Sequence, residues 1–396
     1  MRPVTAQPTI DNAERRRRLA ARHHLAPSSR ATDIAQVAGD LVGVHATDPA
    51  SVYLGLLARM RTLTHDDVAR ALYDDRSVVK ILGMRRTMFV VPRELAGTIH
   101  VGATRAIAIG ERKRLIQMVE SAGVDKDVGR WISEVEKATV DALDELGEAT
   151  ATELTKRVPG LRVQVPFGEG RKWGGKVGVS TRMLFVLAAE GRIVRGRPRG
   201  TWLSSMYAWT PMDRWLGKPL DEPQMDDAHA ELVRRWLRAF GPGTQRDIQW
   251  WTGWTVAITR KAIAAANAVE VELEVGPGLA LRDDLEPTAS GESWVALLPA
   301  LDTTTMGWFE RSWYMGDHVK RLFDRNGNAG PTIWVDGRVV GGWAQRRNGE
   351  VAYQLLEDVG REAVGRIDTE AGHIQEWLGN SRVIPRFRTP LEMDLV

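Results

Sequence analysis

The sequence predicts an α+β fold: three tandem winged-helix units followed by a small C-terminal β-barrel. Three observations carry that expectation. An order of helix, short helix, longer helix and hairpin recurs along the first 290 residues. Beyond Pro287 the texture changes to short β-type runs separated by turn signals. Finally, 396 residues with 43% hydrophobic content exceed what one core fills, since single cores stop growing near ~250 residues. The expected divisions are 1–122, 123–222, 223–290 and 291–396, with the first unit the least regular.

In the first unit, helices are expected around Asn12 to His24, Thr32 to Val44 and Asp48 to Arg61, and after Thr64 to Tyr73. Asp48 is a natural N-cap, and Pro49 suits the first turn, where a missing amide hydrogen costs nothing. Tyr53, Leu56, Leu57 and Met60 recur at helical spacing. Val78 to Val91 reads as two strands around Gly83 to Arg86.

The second unit opens near Asp127 with a helix to Leu146, followed by a short helix from Thr150 to Lys156. STRMLFVLAAEG, from Ser180 to Gly191, has an N-cap, an apolar face and a terminal glycine. Strands at Arg192 to Val194 and Trp202 to Trp209 then flank the turn GRPRGT. In a winged helix the third helix enters the major groove and the hairpin touches backbone or minor groove. The third unit repeats the plan with Asp226 to Phe240, Thr244 to Trp251, Val256 to Asn267 and a strand at Val269 to Val275. In the last segment strands are expected at Trp294 to Leu298, Thr332 to Val335, Arg338 to Gln345, Glu350 to Leu356 and Val383 to Arg388, with a helix near Arg361 to Leu378.

Charge points to a polyanionic partner. Net charge is only +3, but arginine outnumbers lysine 44 to 10, and guanidinium forks suit phosphate better than ammonium groups do. From Arg162 to Arg199 there are nine basic residues against two acidic ones, interleaved with glycines that let a main chain approach a phosphate backbone. Arg171, Lys172, Lys176 and Arg182 lie in that stretch. Arg195, Arg197 and Arg199 alternate on the expected wing, aimed at a minor groove. Four consecutive arginines, Arg15 to Arg18, cannot share one helix face, and a solvated role is expected for them. The acidic run Glu270 to Glu292 is expected to face away from nucleic acid.

Several classes drop out. Without cysteine there is no disulfide, thiolate nucleophile or cysteine-bound zinc. No histidine pair has metal-ligand spacing, and FGEGRKWGGK lacks the frame of a phosphate loop, so neither metal nor cofactor is expected. The polar N-terminus is unlike a signal peptide, and no apolar run approaches the ~20 residues that span a bilayer. A cytoplasmic, nucleoid-associated monomer without a membrane partner is the expectation.

Chemistry is expected at Gly43-Val44-His45-Ala46-Thr47-Asp48-Pro49. His45 and Thr47 alternate in an extended turn and should aim the same way. A histidine can deprotonate a water that a hydroxyl holds in line. The competing account is a histidine satisfied by local backbone beside a capping aspartate.

The runs LVGVHATDPASVYLGLLAR, GMRRTMFVVP, FGPGTQRDIQWWTGW, LPALDTTTMGWFERSWYMG and FDRNGNAGPTIWVDGRVVGGW, in this order, resemble the winged-helix DNA glycosylase family. That resemblance implies three winged helices and a small β-barrel around a basic cleft for duplex DNA, with excision of N-alkylated purines and, in some members, opening of crosslinks. The family's catalytic Gln-x-Gln or Gln-x-Asp pair falls on His45 and Thr47, so both glutamines are absent. Asp48 and Pro49 match the Asp-Pro that follows the pair. An Arg-Gly-Thr-Leu-His pattern is carried as Arg85, Arg86, Thr87, Met88 and Phe89, without the glycine and histidine.

Two functions follow as expectations. One is a monofunctional glycosylase in which His45 activates water, Thr47 positions it and Asp48 completes the site. With no lysine in the HAT segment, Schiff-base chemistry is not expected there. The other is a non-catalytic DNA-binding protein, a regulator or a lesion-masking protein.

Overall fold

The computed structural model describes residues 7–168, 174–289, 291–385 and 388–396. The chain is a mixed α+β protein in which side-chain caps set most helix starts. Asp11, Asp33, Asp48, Thr64, Thr150 and Thr244 each accept a bond from a backbone amide in the first turn of the helix they precede.

The N-terminal part runs through helices Asn12–Arg22, Ile34–Asp40, Pro49–Leu57 and His65–Ala69 to a hairpin of Val78–Leu82 and Met88–Pro92. The two-residue strand Val44–His45 adds to Met88–Pro92, giving a three-stranded antiparallel sheet. Next come the long helices Arg105–Ser121 and Val128–Leu146, the short helix Ala151–Arg157 and the helix Val179–Ala189. A hairpin of Ile193–Pro198 and Tyr207–Pro211 follows, again with a two-residue third strand, Ala149–Thr150. The second strand of that hairpin starts later than the sequence reading placed it, so Trp202 belongs to the hairpin's loop. Part of the glycine-rich stretch forms its own pair, Gln164–Phe167 with Gly175–Gly178. A third set, Met225–Phe240, Gln245–Thr252 and Val256–Ala265, leads into the hairpin Ala268–Leu273 and Gly276–Leu281.

The expected C-terminal barrel is corrected. Among the described residues the strands Val295–Leu298, Thr332–Val335, Arg338–Gln345 and Val351–Leu355 form an open antiparallel meander whose first and last members do not pair. Closing a small barrel around its own side chains takes about eight strands. Here the helix Gly360–Leu378 packs on both the first and the last strand instead, which shields two edges without a closed sheet. Among the described residues the expected final strand does not form: 383–385 and 388 are irregular, 386–387 lie outside the described residues, and a helix follows at Pro390–Leu395.

The arginine run is a second correction, because Arg15 and Arg18 are buried. Arg18 bonds Glu14 at 2.8 Å and the Asp284 carbonyl at 3.1 Å, while Arg15 stacks 4.0 Å over Trp313. Arg22 reaches Asp284 at 2.6 Å. The acidic run that was expected to shun nucleic acid thus docks on the N-terminal helix.

One core holds residues from the N-terminal part, the third helical set and the C-terminal sheet; most of the second set packs in a separate cluster around Leu143, Leu154 and Leu187. At the centre of the first core Arg59 and Asp302 form a bidentate pair at 2.9 and 2.8 Å, their side chains 0% and 2% exposed. Arg59 also bonds Thr304 Oγ1 at 2.8 Å, and that hydroxyl contacts His23 Nδ1 at 2.7 Å. His23 Nε2 donates to the Ala239 carbonyl at 3.0 Å, and because burial keeps the ring neutral its Nδ1 is the acceptor.

Removing one partner of a buried pair strands the other charge, at a cost of about 3–5 kcal/mol. Asp302→Ala should therefore lower unfolding stability by about that amount, whereas Arg59→Met with Asp302→Leu should recover most of it, as read by denaturant titration. Burial, then the Arg59 guanidinium, pushes His23 well below its ordinary 6.5. In the unfolded chain the ring returns to that value, so stability present above pH 6.5 is lost as pH falls below it. The melting temperature should drop between pH 7 and 5, and His23→Gln should remove part of the slope; an unchanged slope would count against the assignment.

Candidate active site

The turn after Ile34–Asp40 is built from both ends of the chain. Gly43 takes φ +117°, and a side chain there would press on Val91 and Phe89. Val44 and His45 then pair with Val90 and Phe89, and Ala46 N donates to the Met88 carbonyl at 2.7 Å. From 258 residues away Thr303 closes the loop, its Oγ1 accepting from His45 N at 3.0 Å and donating to the Gly43 carbonyl at 3.1 Å. Ser51 adds a bond to the Ala300 carbonyl at 2.6 Å. The C-terminal segment thus fixes the turn's backbone.

His45 and Thr47 do not share an environment, contrary to the simple alternation. His45 is 4% exposed, meets Phe89 edge to face at 5.4 Å, and its Nδ1 has no hydrogen-bond partner among the described residues. Burial, helped by the Arg85 charge, pushes its pKa down to about 4. The ring is neutral at physiological pH, and its surroundings penalise the imidazolium a general base must become. Thr47 is exposed. Its hydroxyl accepts a long bond from Met88 N at 3.4 Å, which leaves the O–H proton to donate elsewhere. Asp48 caps the next helix through Ala50 N at 2.9 Å; burial raises its pKa, against the opposing charge of Lys80.

Thr47 opens onto a cavity of about 190 Å³ between the N-terminal sheet and the Ile193–Pro198 hairpin. Tyr53, Tyr73, Lys80, Arg195, Trp202 and Tyr207 also line it. Lys80 sits in the middle of Val78–Leu82, whose other four residues are buried, and no hydrogen bond or ion pair holds its amine among the described residues. Burial first, then Arg195, lowers its pKa to about 8, against the pull of Asp48. Arg195 stacks 4.6 Å over Tyr207 and 5.6 Å over Trp209. Trp202 anchors the hairpin loop, with Tyr53 at 4.6 Å, His65 at 4.9 Å and an indole bond to Ser381 at 3.2 Å. Burial lifts the Tyr53 hydroxyl to about 12, so that ring remains an uncharged donor.

Of the residues expected to meet DNA, Arg195 alone among the described ones lines this cavity. Arg197 and Arg199 are exposed but ion-paired, to Asp74 at 2.6 Å and Glu148 at 3.0 Å. The strand register shifts between Arg195 and Pro198, so the three do not present one even row. Arg85 and Arg86 form the first hairpin's tip with φ of +51° and +64°, a region L-residues rarely enter, and Arg86 holds it where the family pattern has glycine. Arg85 stacks 3.7 Å over Trp250, while Arg86 pairs with Glu111 at 2.9 Å. Arg182 is half-buried 4.4 Å over Phe167, and Lys176 is exposed on its strand. Arg171 and Lys172 lie outside the described residues.

Sequence reasoning missed Thr303, Lys80 and the aromatic lining. A lone lysine inside the run VVKIL was the available signal for Lys80. LDTTT was noticed only as part of a resemblance. Among the described residues no three His, Asp or Glu side chains gather as metal ligands, and no helix is long and apolar enough to cross a membrane.

Comparison with solved structures finds a Streptomyces sahachiroi DNA glycosylase, AlkZ, at a TM-score of 0.73 and 22% identity, covering 95% of this chain and 98% of that one. The two share a fold from end to end. No curated protein matches at the sequence level. A model of the AlkZ-like DNA glycosylases matches residues 38–377, from the helix before the turn to Trp377, which stacks on His65 at 3.7 Å. By that match the chain belongs to the AlkZ-like DNA glycosylase family.

Proposed function

We propose that this protein binds duplex DNA through three tandem winged-helix units and hydrolyses the N-glycosidic bond of an N-alkylated purine turned out of the stack. The observation that carries the reading is the cavity at Thr47, where a hydroxyl, an amine, a guanidinium and four aromatic rings meet. Aromatic faces attract a cationic purine, by about 2 kcal/mol or more when water is excluded. Such a base is already a good leaving group, so the protein needs only to hold a water and tolerate an oxocarbenium-like sugar.

Thr47 donates to that water, while Asp48, which does not line the cavity, serves the site by capping the helix that follows the turn. His45 supports the turn from below as a neutral ring; with a pKa of about 4 it is a weak proton acceptor. Arg195, propped on Tyr207, suits a phosphate beside the extruded nucleotide. The buried His45 and the missing glutamines also favour a second reading, a DNA-binding protein without catalysis, and the same assay separates the two.

A duplex carrying N7-methylguanine should release base with the wild-type protein and at least tenfold more slowly with Thr47→Val, at unchanged binding measured by fluorescence anisotropy. Binding without release of any of several alkylated bases would leave the non-catalytic reading standing. Because His45 takes up a proton only near pH 4, base release should show no step centred on pH 6.5 between pH 7.5 and 5.5. A midpoint near 6.5 would instead identify an ordinary, solvated imidazole at work.

A further inference from the structure

Excision leaves an abasic sugar where the base was, and its ring-opened form carries an aldehyde at C1′. The cavity that receives the damaged nucleotide in the reading above also holds an amine. We propose that Lys80 is the nucleophile of an abasic-site lyase activity, its Nζ attacking that C1′ aldehyde. The inference rests on the same cavity being the DNA site, but not on base excision taking place.

Three features of the molecule support it. Lys80 lines the cavity together with Thr47 and Arg195, so an amine and the turn that faces the sugar share one space. Among the described residues its amine has neither a hydrogen bond nor an ion-pair partner, a state it shares with Lys113, Lys126, Lys156, Lys176 and Lys320, but those five are exposed and Lys80 lies among buried strand residues. A second cation beside it and an apolar strand around it both favour the uncharged amine, the pattern by which proteins make a lysine nucleophilic. The charged groups acting on Lys80 are Arg195 on the hairpin and Asp48 at the helix start, and Tyr53, Tyr73 and Tyr207 line the same cavity.

The steps balance without an outside oxidant or reductant. Nζ adds to C1′, and the carbinolamine loses water to give a protonated imine. Loss of a C2′ proton to water in the cavity sends an electron pair toward the imine; the C3′–O bond then breaks and its electrons leave with the 3′-phosphate. Hydrolysis returns the amine and leaves an unsaturated aldehyde on the nicked strand. Arg195 suits the departing phosphate.

The test starts from a duplex with a preformed abasic site, so base excision is not required. Wild-type protein with borohydride should give a covalent adduct, mapped to Lys80 by mass spectrometry, and without borohydride a nick on the 3′ side. Lys80→Arg keeps the charge but cannot form an imine, and should lose adduct and nick at least tenfold while still binding a duplex with a tetrahydrofuran site; Lys80→Met should do the same, with thermal melting reporting on the fold. Below pH 8 the trapping rate should fall about tenfold per pH unit, following the free amine. Binding to the tetrahydrofuran duplex without an adduct overturns the lyase and leaves base excision untouched, and an adduct that persists in Lys80→Arg overturns it as well. Trapping at Lys80 by a protein that releases no alkylated base upholds the lyase and refutes the excision reading. Absence of any DNA binding defeats both.

Discussion

The pair formed by Arg59 and Asp302 is the constraint on which the architecture turns. Two charges out of water are tolerated when most of their remaining donors and acceptors are used. Here Asp302 Oδ1 also accepts from Thr304 N at 2.8 Å and Arg59 Nη1 donates to the Gly55 carbonyl at 2.6 Å, leaving Arg59 Nε without a partner among the described residues. Thr304 passes the chain of bonds to His23, and His23 passes it to Ala239 in the helix Met225–Phe240. Four segments remote in sequence therefore meet in one polar network inside an apolar core. A hydrophobic filling would hold them as firmly but in less defined register, because hydrogen bonds fix direction and apolar contacts do not.

That register matters one residue along. Asp302 and Thr304 bond inward to Arg59 and His23, while Thr303 between them bonds the turn that carries His45 and Thr47. Each threonine of the run Thr303-Thr304-Thr305 is buried and bonded to a different segment: the turn, the ion-pair network and Thr332 of the C-terminal sheet. The sheet is thus a brace for the candidate site, not a separate appendage. A functional group is held in place by its supporting shell as much as by its own backbone.

What the sequence disclosed and what it hid divide along the same line. Caps and helical spacing are local, and Asp48-Pro49, Thr150 and Thr244 started helices as their chemistry requires. The strands of the last hundred residues were legible from turns, but whether four of them close depends on pairing between the first and last, which no local signal encodes. Arg15 and Arg18 read as solvated because their partners, Asp284 and Trp313, lie some 270 to 300 positions away. His45 and Thr47 were separated by tertiary burial that strand alternation cannot foresee. Lys80 became part of the site only because a hairpin more than a hundred residues later folds across its strand.

The cavity's charge balance ties these points to chemistry. Lys80 and Arg195 are cations beside a space proposed to admit a cationic purine, and two unit charges ~8 Å apart at an effective dielectric of ~20 repel by about 2 kcal/mol. The aromatic lining offsets roughly that much. With a pKa of about 8, Lys80 can shed its proton at little cost, which removes one of the two repulsions when the cationic base is present. Once the base departs, the same neutral amine faces an electrophilic sugar, and the remaining cation, Arg195, faces phosphate. Desolvation that first permits a positively charged guest then arms the nucleophile, so one physical property of one buried strand position serves both halves of the proposed reaction.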